Sequence, residues 1–171
     1  HTLLHLRSRF EIAVFCPHLD YPKWLEPQKH NYVRPDFSYQ PEGIRTHYFN
    51  APALPLLTRP INGYLIASKA RPLVEAFRPD ILLNYTVFPD GHAAVLTGRR
   101  LGVPVVLGAI GSYINRMPDP ITRRFTLHTL HQADYLITVS EHLRRTALSL
   151  GVPPERCRAV HNGCDGEQFQ P

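Results

Sequence analysis

Side chains capable of chemistry gather at a few places in this 171-residue chain, and each place suggests a different reaction. The histidine pairs His1/His5 and His128/His131 have the i, i+4 and i, i+3 spacing of helical metal ligands. Neither pair encloses a glutamate in H-E-x-x-H form, so both read as solvated helix faces, and no metal is expected. Ser140 stands between an apolar run and a helical run, where a nucleophile would sit. No G-x-S-x-G elbow surrounds it, so it reads as a helix cap. His92 lies at a predicted helix start on the rim of a predicted site. There it could hydrogen-bond a hydroxyl or a phosphate, or serve only as a residue of the first helical turn. Cys16, Cys157 and Cys164 are odd in number and form no C-x-x-C, which fits reduced thiols. Asn84-Tyr85-Thr86 is a formal glycosylation sequon at the end of an apolar run, and reads as buried and unmodified.

Phosphate chemistry has no signature here. Neither G-x-G-x-x-G nor G-x-x-x-x-G-K-[ST] occurs, and Gly108-Ala109-Ile110-Gly111 is too sparse to replace them. No cofactor is expected. Lysine and arginine number 19 against 14 acidic residues, and the surplus includes the pairs Arg99-Arg100, Arg123-Arg124 and Arg144-Arg145 on predicted helices. Nucleic acid would require a dense basic face with exposed aromatics or a known module, so it is not expected as a partner. An anionic membrane surface could attract such faces, at about 1 kcal/mol per nearby cation.

These groups must be held by a folded scaffold. With 43% apolar and 19% charged residues the chain is not disordered, and its length fits one domain with a real core. No apolar stretch is long enough to span a membrane. The chain opens at His1 and its only methionine is Met117, so it reads as an excised or processed piece. Residues 1–9 look like the end of an amphipathic helix. Residues 11–16 read as a strand that Pro17 stops. Residues 18–41, with four prolines and several aromatics, read as a long ordered loop, followed by a strand over 43–49. A helix over 61–77 should be kinked or divided by Pro72, which lacks a backbone donor.

From residue 79 onward the pattern becomes regular. Strands are expected at 81–85, 104–109, 135–139 and 157–160. Helices are expected at 92–100, 121–132 and 141–150, with Gly102 and Gly151 just past two of their ends. The apolar strands 81–85 and 104–109 suit a parallel sheet covered on both faces. The alternation implies βαβ units in a doubly wound α/β sheet. Ligands of such sheets bind beyond the carboxyl ends of the strands. That places His18, Asn50, 86–91, 110–115, Ser140-Glu141 and 161–165 around the candidate site.

Three segments, taken together, resemble the first domain of a GT-B glycosyltransferase of family 4. The first is Arg78-Pro79-Asp80-Ile81-Leu82 with Phe88-Pro89-Asp90-Gly91-His92-Ala93-Ala94 and Leu101-Gly102-Val103-Pro104-Val105-Val106. The second is Ala133-Asp134-Tyr135-Leu136-Ile137-Thr138-Val139-Ser140-Glu141. The third is Leu150-Gly151-Val152-Pro153-Pro154-Glu155 with Val160-His161-Asn162-Gly163-Cys164-Asp165 and Phe169-Gln170-Pro171. The resemblance covers residues 43–171 well and the earlier part loosely.

The resemblance implies a Rossmann-like, three-layer α/β/α domain with a mostly parallel sheet, one half of a GT-B enzyme. Residues 1–171 would be its acceptor-side domain, truncated at its start, with the donor-binding C-terminal domain absent. It implies a retaining transferase that moves a sugar from a nucleotide-sugar to a sugar, glycan or glycolipid acceptor, with the fragment inactive alone. Partners would be its own C-terminal domain and a membrane surface, in the cytoplasm or at the inner membrane face. The acceptor cleft would use Asn84, Asp90, Gly91, His92, Gly111, Ser112, Tyr113, Asn115, Ser140 and Glu141. Asn162, Gly163 and Asp165 would form the interdomain hinge. Sugars need directional hydroxyl partners, and several of these side chains are such groups. Relatives often carry His-Gly-Ser/Thr-Asp or Arg-Gly-Ser-Asp after the strand that ends here at Ala109. This chain has Ile110-Gly111-Ser112-Tyr113, so no catalytic histidine can be assigned. That departure also admits a non-catalytic Rossmann-like binding domain, and the fold admits a sugar-nucleotide epimerase.

Overall fold

The computed structural model describes residues 2–20, 36–53, 59–115, 117 and 119–163. Within 18–41, the expected aromatic loop therefore falls largely outside the described residues, as do Cys164, Asp165 and the Phe169 motif. The chain divides into two compact units, His1–Pro79 and Asp80–Pro171.

The first unit holds α1 (Thr2–Leu6), β1 (Ala13–Asp20), β2 (Arg45–Pro52), a 3-10 turn (Arg59–Ile61) and α2 (Asn62–Phe77). β1 and β2 run parallel, with Ala13 opposite Arg45 and Asp20 opposite Pro52. Pro17 does not stop β1. Ala53 N–H donates to Asp20 O, and in a parallel ladder this register aims the backbone groups of Asp20, His18, Cys16 and Val14 at β2. Pro17 thus faces the opposite edge, where its missing N–H removes no bond to β2. On the outer edge of β2, the Gln40 side chain imitates a neighbouring strand. Its Nε2 donates to Thr46 O (3.0 Å) and its Oε1 accepts from Thr46 N (2.9 Å). Such capping blunts an edge that would otherwise recruit another chain.

Helix α2 is continuous, so Pro72 does not divide it. Pro72 lies on the exposed side, where water can satisfy the carbonyl its ring leaves unpaired. The helix ends at Arg78, in left-handed conformation (φ 55°), whose N–H donates to Val74 O. Phe77 at its end meets Phe15 edge to face at 6.1 Å, and Phe15 stacks on its cross-strand neighbour His47 at 5.3 Å.

The second unit holds β3 (Leu82–Asn84), α3 (Asp90–Leu101), β4 (Val105–Ala109), α4 (Ser112–Asn115), α5 (Pro120–Gln132), β5 (Tyr135–Thr138), α6 (Glu141–Ser149) and β6 (Cys157–Ala159). The sheet order is β3-β4-β5-β6, all parallel. Register puts Leu82, Val105, Leu107, Leu136 and Cys157 on one face. Val105, Leu107, Leu136 and Cys157 form a buried core with Val95, Leu130, Leu143 and Ala147 from α3, α5 and α6, and Leu82 packs against it. Asp134 anchors the start of β5: its Oδ2 accepts from Val105 N at 2.7 Å while its own N–H donates to Val105 O.

The expectation that 81–85 is a buried strand is corrected. β3 pairs only with β4 among the described residues. Ile81, Leu83 and Tyr85 alternate with the core-facing residues and remain 53%, 42% and 44% exposed. Among the described residues the strand has a neighbour on one side only and one face against α3, so its unbroken apolar run does not mean burial on both sides. Among the described residues no helix is long and apolar enough to cross a membrane.

Candidate functional site

The loops that follow β3, β4, β5 and β6 carry the candidate residues of the second unit. After β3 the chain folds into a hydrogen-bonded turn. Asn84 Oδ1 accepts from Thr86 N at 2.8 Å, and the Thr86 hydroxyl lies 3.1 Å from Asn84 Oδ1 and 3.3 Å from Asp90 Oδ2. The Asn84 carbonyl is thus occupied in shaping the loop. Burial pushes the Asp90 carboxyl above its ordinary value, and the Thr86 contact opposes the shift. Thr86, which the strand pattern placed at the candidate site with the rest of 86–91, joins these two residues in an Asx-type turn. Gly91 lets α3 approach this turn: a Cβ there would stand 2.2 Å from Thr86 O.

His92 is not a rim residue. It is fully buried between α3 and α5, beside the rings of Phe125 (5.2 Å), His128 (5.6 Å) and Phe88 (6.3 Å). Thr129 gives its single hydroxyl proton to Phe125 O at 2.8 Å. The 3.0 Å contact with His92 therefore has Nδ1 donating to Thr129 Oγ1, which fixes the tautomer. Burial lowers the imidazole pKa to about 4, with the His128 charge adding to the effect. Position at a helix start suggested a rim, but the first turn of α3 directs this side chain inward.

After β4, Gly111 adopts φ +115°, a conformation L side chains rarely take. Its carbonyl accepts from Asn115 N at 3.1 Å, and Leu143 of α6 lies close to the space beside it. Ile114 is buried in α4 while Asn115 is exposed. Ser112 and Tyr113 belong to α4, and their side chains are outside the described set. Ile110, the departure from the family pattern, is exposed at 55% on this edge.

After β5, Ser140 caps α6, its hydroxyl accepting from Leu143 N at 3.2 Å. Glu141 forms an exposed ion pair with Arg144 at 3.6 Å. Arg144 is not merely a solvated charge: its Nε donates to Cys157 O at 3.0 Å, tying α6 to β6. Burial raises the Cys157 thiol above its usual range, consistent with a reduced, unreactive cysteine. Asn162 and Gly163 lie exposed beyond β6. Structure thus brings Asn84 and Asp90 together through Thr86, sets Gly111 beside Asn115 and the start of α6, and removes His92 to the core. Among the described residues no group of three or more histidine, cysteine or acidic side chains could hold a metal.

The model of Glycosyltransferase Family 4 matches residues 1–168. No curated protein matches the chain. Among solved structures, Alr3699/HepE of Anabaena in complex with UDP and glucose is 15% identical, with TM-score 0.57 over 73% of this chain and 33% of its own. UDP-N-acetylglucosamine 2-epimerase from Rickettsia bellii is 24% identical, with TM-score 0.52 over 66% of this chain and 29% of its own. The chain spans about a third of the length of these proteins. Likeness at this level concerns the fold, a Rossmann-like half of a GT-B enzyme.

Proposed function

From the premise that the chain belongs to Glycosyltransferase Family 4, we propose that it is the acceptor-side part of a transferase that moves a sugar from a nucleotide-sugar to a hydroxylated acceptor. The observation that carries this reading is the row of loops at the carboxyl ends of β3, β4 and β5. They carry Asn84, Thr86, Asp90, Asn115, Ser140 and Glu141 at or just beyond the ends of adjacent parallel strands. Ligands of open α/β sheets bind at this edge, and amides, hydroxyls and carboxylates are the groups that pair with sugar hydroxyls. Turnover requires a donor-binding domain outside these residues, so the chain alone binds nucleotide-sugar weakly or not at all. Arg123 and Arg124, both exposed on α5, would let an anionic membrane surface hold the enzyme at the inner face.

The test has two parts. Calorimetry of this chain with UDP-sugars should give no micromolar binding, and such binding would overturn the divided-site reading. A protein that joins this chain to a donor-binding domain should release nucleotide from a nucleotide-sugar only when an acceptor is added. An epimerase is the second reading, favoured by the fold likeness to the Rickettsia bellii enzyme. It would interconvert the nucleotide-sugar with no acceptor present.

A further inference from the structure

In the first unit, a separate cleft of about 700 Å³ is lined by Phe37, Gln40, Thr46, His47, Tyr48, Phe49 and Asn50. Its size falls within the range of small-molecule sites. It follows β2 toward the carboxyl ends of the two parallel strands, where Asn50 stands opposite His18. Of the residues that the strand pattern placed around the candidate site, Asn50 lines it; none of those the resemblance assigned to the acceptor cleft does.

The walls are already held in place. The Phe37 ring stands nearly perpendicular to Tyr48 (5.6 Å, 87°) and to His18 (5.4 Å, 83°), yet remains 47% exposed. The Tyr48 hydroxyl donates to Tyr39 O at 2.9 Å, which orients the phenol. Gln40 is fixed by its two bonds to Thr46. The Asn50 amide is exposed. Rigid rings beside an amide are a preorganised surface, and preorganisation lowers the entropy lost on binding.

Charge decides what such a surface can take. Among the described residues, none of the seven that line it is a lysine, arginine, aspartate or glutamate, so these walls offer a phosphate no fixed cation. Next to Phe37, the Asp36 carboxylate accepts hydrogen bonds from Ser38 N (2.9 Å) and Ser38 Oγ (2.6 Å), which hold it ionised and adverse to anions. A neutral ring with an apolar C–H face and a hydroxylated rim meets both requirements. We infer that this cleft is a pyranose subsite, taking an uncharged sugar ring of the acceptor against Phe37 and Tyr48 with Asn50 pairing a hydroxyl. The inference rests on the transferase reading for its biological sense and on this geometry for its location.

Saturation-transfer NMR on this chain with methyl glucoside, methyl mannoside and methyl galactoside tests it, with UDP as the anionic competitor. At least one glycoside should receive saturation, strongest at its ring C–H protons. Its affinity should fall about tenfold in Phe37→Ala, a loss in line with a well-formed ring contact, and UDP should not displace it. Should Phe37→Ala lose its fold by circular dichroism, Asn50→Ala, at an exposed position, carries the same comparison. Absence of binding by all three glycosides, unchanged affinity in both variants, or displacement by UDP overturns the subsite. In a protein that joins this chain to a donor-binding domain the two readings separate. Nucleotide-sugar turnover with unchanged acceptor KM in Phe37→Ala removes the subsite and leaves the transferase. No turnover of any nucleotide-sugar removes the transferase, whatever this chain binds.

Discussion

In the second unit Val105, Leu107 and Leu136 are almost wholly removed from water, whereas every residue of β1 from Ala13 to Leu19 keeps part of its surface exposed. Both sheets are parallel, and both place aromatic or branched residues on their strands. The difference lies in what covers them. Three helices close one face of the four-stranded sheet with leucine, valine and alanine side chains. The face of the two-stranded sheet that carries Tyr48 and His18 is met by the Phe37 ring and leaves a cleft. The closed core of the second unit should therefore be the costlier place to cut, while the described part of the first exposes preformed surface. Substitutions in the two should separate accordingly.

The largest effect is expected at the centre of the closed core. Leu107→Ala removes a fully buried side chain and should cost about 2–5 kcal/mol. Urea denaturation followed by circular dichroism gives the value. A loss below about 1 kcal/mol would mean that this core is not the stable part of the molecule.

His92 adds a pH dependence that belongs to the second unit. An unfolded histidine titrates near 6.5, while the buried imidazole does so at about 4. Between these values the unfolded chain holds more protons, so stability falls as the pH is lowered through this window and levels off below it. The contribution is fully present above about pH 6.5 and amounts to roughly 3 kcal/mol. Urea midpoints for wild type and His92→Gln between pH 4 and 7 measure it. The variant should lose most of this slope, and equal slopes would show that His92 titrates as an exposed residue.

The same contrast marks how far the sequence could be read. In the second unit local signals agreed with the fold. The run 104–109 gave β4, the Ser140 cap gave the start of α6, and Gly102 gave the end of α3 with φ 70°. In the first unit the decisive facts were relational. Whether Pro17 ends a strand depends on which edge it faces, and whether Pro72 breaks a helix depends on which side is wet. Gln40 capping Thr46 joins residues whose chemistry gives no sign of pairing. Within the candidate site, the loop positions were legible because βα units repeat. His92 was misplaced because one helical turn separates rim from core, and Arg144 gave no hint of its bond to Cys157 O. Of the Phe37 cleft the sequence showed Asn50, beyond a strand's carboxyl end, and a surplus of aromatics, but not that the two meet.

A smaller effect within the second unit is expected at Ser140. Ser140→Ala leaves the Leu143 N–H without its side-chain acceptor and should cost about 1 kcal/mol, the usual worth of such a cap. Ser140→Asp should restore most of it, because a carboxylate accepts the same bond and suits a helix N-terminus. Thermal midpoints of the two variants decide between capping and a chemical role. If Ser140→Asp is no more stable than Ser140→Ala, the cap is not what the serine supplies.

The least destabilising change should fall in the cleft of the first unit. Phe37 is half exposed and, among the described residues, stands nearly perpendicular to the rings of His18 and Tyr48. Such contacts contribute about 0.5–1.5 kcal/mol each when fully formed, and at an exposed ring part of that is returned by solvent. Phe37→Ala should therefore cost about 1 kcal/mol or less in urea denaturation, several times less than Leu107→Ala. Because the same substitution is expected to weaken glycoside binding about tenfold, it should move recognition much more than folding. A stability loss matching that of Leu107→Ala would place Phe37 in a core instead of a cleft wall, and the contrast between the units would fail at the residue on which it most depends.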